Sequence, residues 1–329
     1  MGYVSSNELL ELQHEEYILK ESTRTFAFSI KDKELWDLYE KQFSTFWQPK
    51  EIDPSRDVGH WEKLTDGERY FISMVLAFFA TSDGIVFDNV DMNFSNEVKV
   101  TEAKFFYGMQ GFMENIHSQV YMSLLKSYVK EEKEQQTLID AIYNIDCIKE
   151  KASWALEHFS KEIPFAERLI AFAIVEGVFF SGAFCAIFWL KKYKKGLLEA
   201  LTLSNAFIAR DESLHCEFAV ALFHRLQNKP LESIVHKMFQ TAIELEIRFT
   251  REALKINLIS MDSTKMAQYI RFVCDRLLSQ LGYNKLFDVS NPFPFMESQS
   301  LRVTTNFFEG KVHEYALAAK GSFCEDAEF

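Results

Sequence analysis

The pattern Glu-x-x-His places a carboxylate and an imidazole one helical turn apart, and it occurs three times, at Glu11–His14, Glu114–His117 and Glu212–His215. Residues three and four apart share one face of a helix, so each pair could supply half of a metal site. The pattern also arises by chance, and its surroundings must decide. Glu11–His14 lies in a polar segment, so we interpret it as solvated helix surface.

The other two pairs each follow a lone carboxylate in an apolar run. Asp83 precedes Glu114–His117, and Glu176 precedes Glu212–His215. In one straight helix either gap would span roughly 45–55 Å, too far for a shared metal ion. A turn near the middle of each gap would bring its ends level. We therefore predict two antiparallel helical hairpins, each joining a carboxylate to a Glu-x-x-His pair.

The combined set holds four carboxylates and two imidazoles: Asp83, Glu114, His117, Glu176, Glu212 and His215. Oxygen and nitrogen ligands of this kind suit iron or manganese rather than a metal that requires thiolates. Four buried carboxylates would be costly without a compensating charge, which two metal ions would supply. The set predicts the inward-facing ligands of a di-metal carboxylate helix bundle, with Asp in place of one usual Glu.

Tyr121 lies one turn after His117 and should face the same site. A phenol beside a metal that activates oxygen is open to one-electron oxidation, although an aromatic packing residue would fit the position equally well. Three apolar residues lie at helical spacing from Glu176 or Glu212 and would either form a dry wall around a radical or be ordinary core: Phe180, Phe184 and Ile208.

The rest of the chain predicts an all-α, ferritin-like bundle with additional helices and no strands. Only 12 glycines and 6 prolines interrupt it, and 32 phenylalanines cluster in its helical segments. A capping box at Thr65–Glu68 predicts the start of the helix with Asp83. Polar turns are expected at 95–99 and 191–196. We divide the chain into a polar leader, 1–30, loosely docked at most, a helical domain, 31–287, and an extended, flexible C-terminal tail, 288–329.

Charge and composition argue against some classes of function and some partners. A net charge of −12 argues against a nucleic-acid or anionic-membrane surface. The 5 cysteines form no Cys-x-x-Cys pair, which indicates a reducing compartment and favours the cytoplasm. The apolar run 169–190 could cross a bilayer, but Glu176 near its centre favours a buried helix of a bundle. No membrane or nucleic-acid partner is expected.

Several motifs resemble one known family. From about Arg24 to Phe329 the chain is similar to the small, radical-bearing subunit of class I ribonucleotide reductase, in its eukaryotic or viral form. The matching stretches are FFATSDGIV around Asp83, ENIHSQVY ending at Tyr121, VEGVFFSGAF, RDESLHCEFA, NPFPFM, TNFFEGKVHEY and an acidic end.

That resemblance implies a carboxylate-bridged di-iron centre with two iron ions per protomer, manganese being an alternative metal. Glu114 and Glu212 would be the bridges, Asp83 and His117 would complete one iron, and Glu176 and His215 the other. Oxygen activation there would convert Tyr121 to a stable tyrosyl radical. The family's transfer route maps onto His117, Asp211, Trp47 and Tyr315.

The resemblance also implies partners. Residues 323–329 would dock on the large, catalytic subunit, and the chain would form a homodimer. The tail ends Asp-Ala-Glu-Phe where many eukaryotic relatives end Asp-Ala-Asp-Phe, so its affinity for the large subunit could differ.

Two other functions share parts of this pattern. A ferritin-like iron oxidase or storage protein would share the ligand set but would need neither Trp47, Asp211 and Tyr315 nor a docking tail. A non-catalytic partner chain of a reductase would have lost ligands, and none is lost here. The chain has no phosphate-binding loop or thiol pair for ribose reduction, so it is not the whole enzyme.

Overall fold

The structure is a computed structural model that describes residues 2–20, 29–194 and 196–296. Within these ranges the helices are α1 (Ser6–Leu12), α2 (Lys33–Ser44), α3 (Val58–Trp61), α4 (Asp66–Asn89), α5 (Ser95–Glu97), α6 (Thr101–Tyr128), α7 (Glu132–Ile139), α8 (Ala141–Asn144), α9 (Asp146–His158), α10 (Phe165–Ile174), α11 (Ser181–Tyr193), α12 (Glu199–Phe223), α13 (Glu232–Glu252) and α14 (Ser263–Leu281). Two strands, β1 (Gly2–Val4) and β2 (Asn228–Pro230), accompany them. Two π-helical turns, Val90–Phe94 and Val175–Phe179, and four 3-10 turns, Gln13–Glu15, Pro49–Glu51, Pro54–Asp57 and Ile256–Ile259, complete the regular structure.

The first predicted hairpin is formed by α4 and α6, which pack along each other. The side chain of Thr65 accepts from the backbone N–H of Glu68, and the Glu68 carboxylate accepts from the backbone N–H of Thr65, so the capping box begins α4 as predicted. The chain stays helical through α5, so the turn begins at Val98, three residues after the start of the turn expected at 95–99.

The second hairpin joins α10 and α11 to α12, which packs against both. Between α11 and α12 the backbone enters the left-handed region at Gly196, with φ +74°, and at Leu198, with φ 52°. Glycine adopts that conformation without steric cost, which explains its place in this tight turn. Both predicted hairpins are therefore present, and their four helical arms form the centre of the body.

Two helical stretches, Asp66–Asn89 and Phe165–Tyr193, are long and apolar enough to cross a membrane. The most apolar window of the first is 61% buried inside the protein and that of the second 94%. Long apolar helices of this kind are also typical of the centre of a large helical bundle, where every face of the helix contacts another helix.

The expectation that the chain has no strand was wrong. Strands β1 and β2 pair in parallel, with Gly2 opposite Asn228 and Val4 opposite Pro230. The buried Glu16 carboxylate accepts from the backbone N–H groups of Gln227 and Asn228, so part of the polar leader packs on the body. Strands of three residues are too short to show an alternating pattern, and nothing in the sequence pointed to them.

The segment 130–159 holds three short helices, α7 to α9. The compact body ends at Pro292, and a second unit begins at Phe293. Of that unit only residues 293–296 are described. Tyr315 and the docking residues 323–329 lie outside the described residues, so the boundaries and roles assigned to the tail stay predictions.

Candidate metal centre

Four helical elements each contribute to one buried cluster. Asp83 comes from α4, Glu176 from the second π-helical turn, and a Glu-x-x-His pair from each of α6 and α12, Glu114–His117 and Glu212–His215. Ligand atoms of Glu114, Glu176, Glu212 and His215 lie within 4.8 Å of one another, as do those of Asp83, Glu114 and His117. All six side chains that the sequence singled out are thus buried together.

Glu114 and Glu212 lie between the two imidazoles. His117 Nδ1 is 3.3 Å from one Glu114 oxygen and 3.1 Å from one Glu212 oxygen. His215 Nδ1 is 3.1 Å from the other Glu114 oxygen and 3.0 Å from the other Glu212 oxygen. Each carboxylate therefore presents one oxygen to each imidazole, which is the arrangement that two bridged metal ions require.

The unsatisfied polar atoms of this cluster fit metal ions. Both oxygens of Asp83, both of Glu114 and one each of Glu176 and Glu212 are buried without a hydrogen-bond partner among the described residues. Nδ1 of His117 is also buried without a hydrogen-bond partner among the described residues. Buried polar groups are ordinarily paired, so this many unpaired carboxylate oxygens in one place fit metal ions bound among them. Oxygen and imidazole donors in this number suit iron or manganese.

The pKa shifts within the cluster also fit bound metal ions. Burial, together with the neighbouring carboxylates, raises the pKa of Asp83 and of Glu176 well above the usual range. Burial opposes protonation of His215, but the adjacent carboxylates outweigh it and raise its pKa to about 9. Bound metal ions would lower the pKa values of these carboxyl groups and imidazoles, because the charge of the ions stabilises ionised carboxylates and neutral imidazoles.

Each imidazole also has a partner at Nε2, the ring nitrogen that faces away from the cluster. His117 Nε2 lies 3.2 Å from an oxygen of Asp211, and the same oxygen accepts from Trp47 Nε1 at 2.7 Å. The side-chain amide of Gln42 lies 3.0 Å from His215 Nε2, and with its otherwise unpaired oxygen turned to the ring it accepts the Nε2–H of an imidazole that ligates through Nδ1. Partners of this kind fix the orientation of a ligating imidazole, so Nδ1 of each ring stays directed into the cluster.

Asp211 is charged although it is buried. Burial alone would raise the pKa of its carboxyl, but the Arg210 guanidinium and the hydrogen bonds from His117 and Trp47 hold it below the usual range. Arg210 also donates to the backbone carbonyl of Thr45 at 2.7 Å, which ties α12 to the end of α2. The structure thus joins Trp47, Asp211 and His117 in one chain of contacts.

Tyr121 lies in an apolar, buried pocket next to the cluster. The ring of Phe79 stacks on it, with centroids 5.0 Å apart and planes at 14°. Phe180 and Phe184 pack on Phe79 in turn, with ring centroids 5.7 and 4.8 Å from that of Phe79. Ile208 is fully buried in the same body. The Tyr121 hydroxyl has no partner among the described residues.

Sequence reasoning missed three residues around the cluster. Phe79 stacks on Tyr121, Gln110 donates to Glu176 at 3.5 Å, and Gln42 holds His215. One signal was available: Gln42 continues the helical spacing of Leu35 and Leu38, so its burial could have been predicted. Its partner could not, because 173 residues separate Gln42 from His215.

Fold and cluster together define a di-metal carboxylate helix bundle. A family model, ribonucleotide reductase, small chain, matches residues 24–292. Ribonucleoside-diphosphate reductase subunit M2 of Danio rerio is 51% identical over 323 residues, covering 96% of this chain and 83% of that protein. The M2 subunit of Mesocricetus auratus is 49% identical over 330 positions, covering 99% and 84%.

Among solved structures, the Rnr4 homodimer of Saccharomyces cerevisiae is similar to this chain with a TM-score of 0.82 and 34% identity, covering 94% of this chain and 96% of that one. A dimanganese(II)-NrdF of Streptococcus sanguinis, at 20% identity and a TM-score of 0.73, shares the fold. The chain belongs to the ribonucleotide reductase small chain family. Its function is that of the small subunit of a class I ribonucleoside-diphosphate reductase.

Proposed function

We propose that two iron ions bind in the cluster and that Tyr121 stores the oxidising equivalent they produce. Glu114 and Glu212 would bridge the ions, and the observation that carries this proposal is that each carboxylate has one oxygen within 3.3 Å of each imidazole Nδ1. Asp83 and His117 would complete one metal position, and Glu176 and His215 the other. Manganese has compatible ligand preferences and is the alternative metal.

When bound, the two ions would supply one-electron oxidising power drawn from dioxygen. The protein's own contribution is to hold Tyr121 beside them and to keep water away. Burial and the nearby Asp83 carboxylate raise the pKa of the phenol well above its usual range, so it stays protonated. Its oxidation therefore requires that the electron and the proton leave together. The unpaired oxygens of Asp83 are the candidate proton acceptors.

Export of the oxidising equivalent would begin at the chain His117, Asp211, Trp47. Its two contacts measure 3.2 and 2.7 Å, and the rings of Trp47 and His117 lie nearly parallel with centroids 6.0 Å apart. Such a continuous buried path suits movement of an electron coupled to short shifts of a proton. Tyr315 in the tail would receive the equivalent and pass it to the large subunit.

The large, catalytic subunit would bind residues 323–329. The basis is the apolar and acidic end Phe-Cys-Glu-Asp-Ala-Glu-Phe, two aromatic rings that flank carboxylates. Deleting these seven residues should leave the metal centre and the radical intact and abolish association with the large subunit. A truncated protein that still associates and supports turnover at ordinary concentrations would disprove the docking role.

We further propose a homodimer formed through one face of α2 and α6. The side chains of Phe43 and Phe112 are 62% and 52% exposed. The ring centroid of Phe112 lies 6.0 Å from that of Phe46, which follows Phe43 by three residues. Neighbouring exposed aromatic side chains are typical of protein interfaces, and the Rnr4 relative is itself a homodimer. Phe43→Asp should shift the protein to monomer in sedimentation. Tyr143→Asp, at a 76% exposed residue elsewhere, should not.

The cytoplasm is the proposed location, because the four described cysteines are free thiols. The same location suits a supplier of deoxynucleotides, and neither a membrane nor a nucleic acid is expected as a partner.

The test of the metal site is stoichiometry. The purified protein should bind two iron ions per protomer by elemental analysis, and His117→Ala or Glu212→Ala should lose at least one because each removes a ligand. Glu217→Ala is the matched control, since Glu217 lies on the same helix as Glu212 but pairs with Lys41 at the surface. Two ions in both ligand variants would disprove the assignment.

A further inference from the structure

The helix that carries Glu176 is interrupted at that residue. Helix α10 ends at Ile174, the π-helical turn Val175–Phe179 follows, and α11 begins at Ser181. A π turn breaks the regular i→i−4 hydrogen-bond pattern, so backbone groups around it need other partners. The position of the Glu176 carboxylate therefore depends on whatever holds this turn in place.

A buried ion pair bonds to the backbone on both sides of the break. Lys151 on α9 donates to the carbonyl of Phe179 at 2.7 Å and to the carboxylate of Glu246 on α13. The other oxygen of Glu246 accepts from the backbone N–H of Gly182 at 3.1 Å. One pair of side chains thus satisfies the last carbonyl of the π turn and an N–H in the first turn of α11.

The fit around this pair is close. A Cβ at Gly182 would lie 2.5 Å from the Glu246 oxygen and 2.6 Å from the side chain of Thr250, so glycine is required for the carboxylate to reach the backbone. The Lys151 ammonium lies 3.8 Å from the ring centroid of Phe78 and 3.9 Å from that of Phe249. Aromatic faces stabilise a cation in this position.

We propose that the Lys151–Glu246 pair is a positioning device for the metal centre: it fixes the π turn and thereby sets where Glu176 reaches the metal position shared with His215. The inference rests on the proposed metal site. Buried ion pairs contribute little net stability compared with apolar residues of similar volume, and their best attested role is to specify one arrangement. The affinity for each metal ion is therefore measured separately from the stability of the fold.

The double variant Lys151→Met/Glu246→Leu removes both charges and keeps similar volume. The Phe179 carbonyl and the Gly182 N–H lose their side-chain partners, so we expect a lower melting temperature, and the titrations are made where the variant is fully folded. Anaerobic ferrous titration should give one ion bound normally and the second bound about 10- to 100-fold more weakly, the usual cost of losing support around a ligand. Amide hydrogen exchange of residues 175–182 should become faster. None of these measurements depends on turnover.

Two further variants test whether a change in metal affinity comes from the Lys151–Glu246 pair rather than from misfolding or from the loss of any ion pair between α9 and α13. Glu246→Gln keeps the volume and the acceptor for Gly182 but removes the charge that faces Lys151, and it should weaken the second ion in the same direction. Arg248→Met breaks the ion pair with Glu150, which joins the same two helices near the surface, and it should change neither ion. It is the matched control for a lost α9–α13 ion pair.

Wild-type affinity for both ions in the double variant and in Glu246→Gln would overturn the positioning role. A wild-type protein that fails to bind two ions would instead refute the metal site, and with it the ground of this inference. The two failures are therefore distinguishable from one set of titrations.

Discussion

Replacing Tyr121 by phenylalanine should stabilise the metal-free protein while abolishing its radical. The Tyr121 hydroxyl is buried and unpaired among the described residues, and such a group costs about 1–3 kcal/mol in proteins. Removing the oxygen relieves that cost and leaves the stacked contact with Phe79. The free energy of unfolding in urea should therefore rise by up to about 1–3 kcal/mol. The iron-loaded variant should bind two ions and give neither a stable radical in the EPR spectrum nor reductase activity.

Tyr107→Phe is the matched control for this prediction. Tyr107 lies on the same helix α6, and its hydroxyl is likewise buried and unpaired among the described residues. It should be stabilised similarly yet keep the radical. A Tyr121→Phe protein that is less stable than the wild type would show that the hydroxyl has a partner, and one with an unchanged radical would place the stored oxidant elsewhere.

Three more outcomes are expected. Trp47→Phe removes a hydrogen bond to the charged Asp211 and should cost about 1.5–3 kcal/mol in urea unfolding; it should keep the EPR signal and lose turnover, and normal turnover would remove Trp47 from the transfer route. Tyr315→Phe should keep the radical and the affinity for the large subunit yet yield no deoxynucleotide, whereas ordinary yield would exclude this relay. In the metal-free protein the folded-state pKa of His215, about 9, exceeds its unfolded value, so its stabilising contribution is complete below about pH 6.5 and is lost as the pH rises through about 9. The raised pKa values of Asp83 and Glu176 act in the same direction, because their stabilising contribution is lost as the pH rises above their unfolded values of about 4, so the melting temperature of the metal-free protein should fall as the pH rises. Iron-loaded protein should show a flatter profile, and equal slopes with and without iron would contradict this account.

The local pattern of the sequence was enough to predict both hairpins and the grouping of the six candidate ligands. Spacing of three residues places Glu114 and His117 on one helix face in any context, and the Thr65–Glu68 capping box is formed within a single turn. The assignment of metal and radical roles to these residues remains a prediction that the experiments above test.

Only the tertiary structure decided which residues support the cluster from outside. The contacts of Gln42 with His215 and of Lys151 with Glu246 join residues 173 and 95 positions apart. Periodicity tells which face of a helix is buried, but not which polar atom of another helix will meet it. That meeting depends on the axial offset and rotation of packed helices, and a π turn such as Val175–Phe179 shifts both by a fraction of a turn. The ligands follow from local spacing because their geometry is fixed within a helix, whereas their supports depend on how separate helices dock.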